Sequence, residues 1–233
     1  MSFPVAILAG GFATRLGPVT EKIPKSLLDI NGEPFISHQL RLLRSKGIDR
    51  IVICTGHLGK LIQDFVQDGS RFDIKVEYSF DGDVLLGTGG AVKKALELLD
   101  ERFFVLYGDS YLNCNYAAVQ LSFEQSGKQA LMTVFHNRDA WDTSNVEFKD
   151  GKILAYEKKQ HNARMKHIDY GLGLFKKEVF SLVPFGARYD LADLYRLLLK
   201  KDELAALEVE ERFFEIGSVN GLEELRKELF PGI

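Results

Sequence analysis

The sequence predicts an α/β fold built on a mostly parallel sheet with helices on both faces. Three observations lead there. Short, fully apolar, β-rich runs alternate with segments of helical period through the first half. The helical segments are long enough to serve as crossovers between parallel strands. After about residue 128 the pattern turns to successive strand-like runs, which predicts antiparallel character in the second half.

The elements follow in order. Residues 5–9 are apolar throughout and read as a strand buried on both faces. Residues 34–46 read as a helix, with Phe35, Ile36, Leu40, Leu42 and Leu43 on one broad face and Gly47 as its stop. A strand over 50–54, a helix over 58–67, a strand over 74–78, a helix over 89–99 and a strand over 103–107 complete the alternating half. Strands are expected over 130–135, 144–148, 153–157 and 170–175, with Asp150-Gly151 as a hairpin turn. Helices return over 191–200 and 221–229. With no repeat, low-complexity tract or linker, residues 1–233 read as one domain, its halves meeting near 128/129.

Composition narrows the function. Hydrophobic residues at 45% and charged residues at 27% exclude wholesale disorder. Thirty Lys and Arg against thirty-three Asp and Glu give a net charge of −3, which argues against sequence-independent binding to nucleic acid or an anionic membrane. A local basic pocket for a small anion stays open. Cys54 and Cys114 lie in apolar contexts and read as reduced, buried thiols of a cytoplasmic protein. The first residues lack the basic start of a signal peptide, and no run reaches the ~20 apolar residues that span a bilayer.

In open α/β sheets ligands bind outside the carboxyl ends of the strands, so the loops after Ala9, Tyr78 and Tyr107 are the candidates. The first reads Gly10-Gly11-Phe12-Ala13-Thr14-Arg15-Leu16, with Pro24-Lys25 further on. Adjacent glycines allow a sharp turn whose amides suit phosphate oxygens, while Arg15 and Lys25 add a fork and a point charge. The competing reading is a tight strand-to-helix turn with two solvated cations. Neither the P-loop nor the Gly-x-Gly-x-x-Gly pattern is present.

Leu8-Ala9-Gly10-Gly11-x-x-Thr14-Arg15-Leu16 followed by Ile23-Pro24-Lys25-Ser26-Leu27 resembles the signature of the sugar-1-phosphate nucleotidylyltransferases. The resemblance continues in the family's order through Leu86-Gly87-Thr88-Gly89-Gly90-Ala91, Tyr107-Gly108-Asp109, Glu157-Lys158 and Phe214-Glu215-Ile216-Gly217. It implies a Rossmann-like, GT-A-like nucleotidyltransferase fold, and an enzyme that joins a nucleoside triphosphate to a sugar 1-phosphate and releases pyrophosphate.

Site roles follow from the resemblance. Arg15 and Lys25 are the expected catalytic cations, and Leu8, Ala9, Gly10, Gly11 and Thr14 the triphosphate loop. Asp81, Gly87, Thr88 and Gly89 are expected beside the nucleobase and ribose, although Gly87 to Ala91 also reads as a helix N-terminus with Thr88 as its capping hydroxyl. Leu85 stands where the family often has proline. Asp109 is implied as the ligand of Mg²⁺, a hard cation suited to a carboxylate and phosphate oxygens. Glu215 replaces the aspartate of the family's second metal motif; it reaches one methylene further, and binds through water or serves the sugar site. Glu157 and Lys158 are implied to hold a sugar hydroxyl and the sugar phosphate, with Asp169, Tyr170 and Gly171 beside them.

The resemblance is strongest to the heptose 1-phosphate guanylyltransferases, so GTP and D-glycero-D-manno-heptose 1-phosphate are the expected substrates. A uridylyltransferase or other nucleotidylyltransferase for a hexose or amino-sugar 1-phosphate is the alternative. A non-catalytic nucleotide-sugar sensor and a transferase for a non-sugar phosphate stand behind it. The length leaves no room for an acyltransferase repeat domain, and a homo-oligomer is compatible with the sequence. The five histidines show no metal-ligand spacing and none is expected to be catalytic. Trp141 and the phenylalanines read as core or pocket walls.

Overall fold

A computed structural model describes residues 2–11, 22–82, 84–138, 140–158 and 162–231. In chain order the strands and helices are β1 (Val5–Leu8), β2 (Asp29–Ile30), β3 (Glu33–Pro34), α1 (Phe35–Ser45), β4 (Arg50–Thr55), α2 (Gly59–Val66), β5 (Lys75–Phe80), α3 (Gly87–Ala95), β6 (Arg102–Tyr107), β7 (Ser110–Leu112) and α4 (Tyr116–Ser126). The second half adds β8 (Ala130–Phe135), β9 (Val146–Lys149), β10 (Lys152–Tyr156), β11 (Ile168–Lys176), α5 (Leu191–Lys200), β12 (Leu204–Val209), β13 (Phe213–Glu215) and α6 (Val219–Leu229).

One seven-stranded sheet, in the order β12-β8-β11-β6-β1-β4-β5, runs through both halves. The pairs β5–β4, β4–β1, β1–β6 and β8–β12 are parallel, whereas β11 runs antiparallel to both its neighbours. The mixed, mostly parallel sheet expected from the sequence is therefore the one observed. Apolar side chains pack on both of its faces, as fully apolar strands require. One layer joins α1, α2 and α4 to the sheet through Leu40, Ile62 and Phe123; the other joins α3 and α5 through Val92 and Leu194.

The strands expected near 144–148 and 153–157 form as β9 and β10, an antiparallel hairpin that stands apart from the main sheet. Its turn is Asp150-Gly151, both at positive φ (50° and 77°), the geometry of a two-residue hairpin turn. The sequence pattern did not mark α4 or β12. The first is capped by Asn115, whose side chain accepts the Ala118 amide, and ends at Gly127 with φ 67°. The second, Leu-Ala-Ala-Leu-Glu-Val, has helix-forming composition that parallel pairing with β8 overrides.

Candidate active site

A cavity of about 400 Å³ opens at the carboxyl ends of β1, β4 and β6. Leu8, Ala9, Gly10, Gly11, Lys25, Asp81, Gly87, Thr88 and Asp109 line it, so the loops singled out by position converge on one space. Thr14 and Arg15 lie outside the described residues.

At one end Lys25 Nζ lies 3.0 Å from Asp109 Oδ2, the two side chains being 23% and 29% exposed. Asp109 is held there by β13, because the Ile216 amide donates to the Asp109 carbonyl at 2.9 Å. A Cβ built on Gly217 would stand 3.7 Å from Lys25 Nζ and 3.9 Å from Asp109 Oδ2, so this turn passes directly beside the pair. Glu215 faces Ser110 in the β13–β7 register, one residue along from Asp109. Asp109 lines the cavity, whereas Glu215 is exposed and not among its lining residues; carboxylate oxygens such as theirs are the donor type a hard divalent cation takes. Gly10 touches the next loop: its Cβ would sit 3.0 Å from the Gly56 amide nitrogen. Among the described residues nothing lies within 4 Å of a Cβ built on Gly11, which lines the cavity.

At the other end Asp81 Oδ2 accepts the Leu86 amide at 3.0 Å, while Oδ1 is buried without a hydrogen-bond partner. Burial raises its carboxyl above the ordinary range, against the Leu86 amide and the Lys94 ammonium. Burial, helped by the charge of Asp81, pushes the nearby Cys54 thiol up to about 12. That rules out a ready thiolate nucleophile in the cavity.

The glycine-rich stretch borders the cavity and also packs against the 187–190 segment. Gly87 has φ 73°, and its Cβ would meet the Tyr189 carbonyl oxygen at 2.7 Å; those of Gly89 and Gly90 would meet Tyr189 Cδ1 at 2.9 Å and the Ala187 carbonyl oxygen at 2.8 Å. The amides of Gly89 and Gly90 both donate to the Tyr189 carbonyl. Gly87 and Thr88 border the cavity, but Gly89 is turned into the 187–190 segment, so packing between the halves accounts for it. Thr88 does not cap its own helix. Its hydroxyl accepts the Leu191 amide at 2.8 Å and donates to Asp190 Oδ1 at 3.1 Å, which binds the start of α3 to the start of α5.

Across the Tyr107 ring lies a second polar group. Lys158 Nζ sits 5.9 Å from the ring centroid and 3.5 Å from Asp190 Oδ1, while Glu157 Oε1 is 3.6 Å from Arg196. Asp169 receives the Tyr156 hydroxyl at 3.1 Å and the Gly171 amide at 3.1 Å. Burial raises the Asp169 carboxyl, opposed by Lys158 and these hydrogen bonds. Burial also works to raise Asp190, yet the Ala192 amide, Lys158 and the Thr88 hydroxyl hold it below its usual range. Gly171, at φ 95°, occupies the irregular stretch of β11 where the register against β8 shifts.

Tyr170 departs from expectation. It is 2% exposed and packs with Phe135 and Phe213, ring centroids 6.3 and 6.2 Å away, on the core side of β11. Strand alternation sends it to the face opposite Asp169. Three residues were missed. Tyr107 presents a buried, unpartnered hydroxyl, Arg188 lines the cavity, and Asp190 joins the two halves. Only Asp190 carried a signal, as an N-cap residue before an apolar helix.

The nucleotidyl transferase family model matches residues 5–229. The chain belongs to that family. It is 32% identical over 231 residues to a UTP–glucose-1-phosphate uridylyltransferase of Synechocystis, covering 91% of this chain but only 60% of that protein. It is 26% identical to a D-glycero-α-D-manno-heptose 1-phosphate guanylyltransferase of Campylobacter jejuni, covering 91% and 93% of the two chains. Among solved structures, HddC from Yersinia pseudotuberculosis complexed with GMP-PN superposes with a TM-score of 0.80 at 23% identity, over 98% of this chain and all of that one. A thymidylyltransferase-like structure from Bacillus anthracis gives 0.85 at 23% identity, over 99% and 96%. These likenesses agree with the family fold. No helix among the described residues is long and apolar enough to cross a membrane.

Proposed function

We propose that this protein transfers a nucleoside monophosphate from a nucleoside triphosphate to a sugar 1-phosphate, giving a nucleotide-diphosphate sugar and pyrophosphate. One observation carries the reading: a cavity with Lys25 and Asp109 at one end and Asp81 at the other, with the Lys158–Asp169 group across Tyr107. The sugar phosphate is already an anionic nucleophile, so the reaction needs positioning and charge neutralisation more than proton transfer. Gly10 and Gly11 line the cavity and offer their backbone to the triphosphate, Lys25 neutralises it, and Lys158 holds the incoming phosphate for in-line attack. Asp109, which lines the cavity, would hold Mg²⁺, with Glu215 as the second acid that the family resemblance implies. Bound there, the ion would offset the charge of the phosphate oxygens.

The base reading favours guanine. Asp81 lines the cavity, with its carboxylate held by the Leu86 amide. A carboxylate complements the adjacent N–H donors on guanine's Watson–Crick edge, where uracil offers one. Similarity to the Campylobacter guanylyltransferase over nearly the full length of both chains supports GTP and a heptose 1-phosphate. Uridylyl transfer is the second reading, favoured by the 32% identity to the Synechocystis enzyme. A pyrophosphate-release assay with Mg²⁺, crossing five triphosphates against hexose, amino-sugar and heptose 1-phosphates, separates the two. Release that needs GTP and a heptose 1-phosphate is expected. Release with UTP and a hexose 1-phosphate moves the assignment to the second reading, and none from any pair argues for a sensor.

A further inference from the structure

The histidines carry no metal-ligand spacing along the chain, but the fold brings two of them together. His136 directly follows β8, His167 directly precedes β11, and Glu208 lies on β12, three adjacent strands at the outer edge of the main sheet. His167 Nε2 is 3.0 Å from Glu208 Oε1, although the two are 41 residues apart in sequence. The imidazole rings of His136 and His167 stack with centroids 4.7 Å apart and planes 14° from parallel. One ligand atom from each of the three residues lies within 4.8 Å of the other two. None of the three lines the cavity.

We propose that this cluster binds one divalent cation of the zinc class, at a site separate from the one that serves the phosphates. Two imidazole nitrogens and a carboxylate oxygen form a set that Zn²⁺ accepts and Mg²⁺ disfavours, since Mg²⁺ prefers oxygen donors and water. Tetrahedral bonds of this length set ligand atoms ~3.3 Å apart, so the widest pair must close by about 1.5 Å. The residue that moves is His136, which is exposed and swings off the stack to aim its nitrogen at the shared point. Its two partners are anchored. His167 exchanges backbone hydrogen bonds with Val146, and Glu208 lies in the paired register of β12 with β8. The Phe148 ring, 5.0 Å from His167, walls one side of the site.

The ion acts as a structural clamp. It ties together the three strands of this edge and fixes the start of β11, where Asp169 lies two residues beyond His167. The proposal does not depend on which nucleotide or sugar the enzyme uses.

Calorimetric titration of the chelator-stripped full chain with ZnCl₂, in excess Mg²⁺, tests it. One site with a Kd of about 1 µM or tighter is expected. His136→Ala and the isosteric Glu208→Gln should each weaken it at least ~10-fold with unchanged circular dichroism, and zinc should shift the ring signals of both histidines in NMR spectra. Asp109→Asn and Cys54→Ser should keep the site. Failure to bind, binding unaffected by His136→Ala and Glu208→Gln, or binding lost in Asp109→Asn or Cys54→Ser would overturn the assignment.

Discussion

Lys25 Nζ stands 3.0 Å from Asp109 Oδ2, joining the loop after the first strand to the end of β6 across 84 residues of sequence. Both side chains are about a quarter exposed, so the pair adds less than ~1 kcal/mol to stability. Its importance is chemical. Lys25→Ala should leave the thermal midpoint nearly unchanged and lower kcat by ~10²-fold or more, as for other groups that stabilise developing charge. Near-normal turnover in the variant would remove Lys25 from the reaction.

The glycines divide into two kinds. Gly87→Ala forces a Cβ to within 2.7 Å of the Tyr189 carbonyl oxygen at φ 73°, so it should cost about 2 kcal/mol or more of stability. Gly11→Ala meets nothing within 4 Å among the described residues and should cost no more than about 0.5 kcal/mol, yet depress turnover by ~10²-fold by crowding the phosphates. Chemical denaturation and steady-state kinetics on both variants check the contrast. Equal stabilities would contradict it.

Asp81→Asn should cut kcat/KM for the preferred triphosphate by ~10- to 10²-fold, the value of a hydrogen bond to a charged acceptor. The loss should be greater for GTP than for UTP. A uniform loss across all bases would mean that Asp81 orders its own loop through the Leu86 amide and does not read the base.

The Tyr107 hydroxyl is buried with no partner, which is costly unless a ligand supplies one. Tyr107→Phe should therefore keep or slightly raise the stability of the free protein, while KM for the sugar phosphate rises roughly 10-fold. Kinetics in both substrates separate this from a nucleotide effect, which would appear in the KM of the triphosphate.

Asp169 gives the protein a pH signature. Its carboxyl is raised above the ordinary 3.8 by burial, so the folded chain holds this proton more tightly than the unfolded one. Its contribution is therefore most favourable below about pH 3.8, and stability falls as pH rises toward the raised folded value. Asp169→Asn cannot ionise and should lack this slope. Melting curves from pH 4 to 7 should show wild type losing stability relative to the variant. Parallel curves would place the titration elsewhere.

Much of this architecture could be read in the residues. The apolar runs at β1, β4 and β6 declared buried parallel strands because nothing polar interrupts them, and Asp150-Gly151 declared its hairpin through turn chemistry. The glycine pair, Lys25 and Asp109 marked one end of the cavity because strand ends in such sheets converge there. What escaped depends on long-range contact. Leu204 to Val209 has the composition of a helix until β8 supplies a partner. Gly89 looks like a ligand-facing glycine until Tyr189 is seen beside it, and Tyr170 like a sugar contact until strand alternation turns it inward. Arg188 had no local pattern at all; only the closure of the 187–190 segment over α3 brings it to the cavity.

The most direct test is ³¹P NMR of the protein with GTP, a heptose 1-phosphate and Mg²⁺, run beside Lys25→Ala. The account expects the paired signals of a nucleotide-diphosphate sugar to grow with pyrophosphate, only when both substrates are present and far more slowly in the variant. GTP and sugar phosphate standing unchanged with the wild-type protein, or product forming at equal rates with Lys25→Ala, would contradict it.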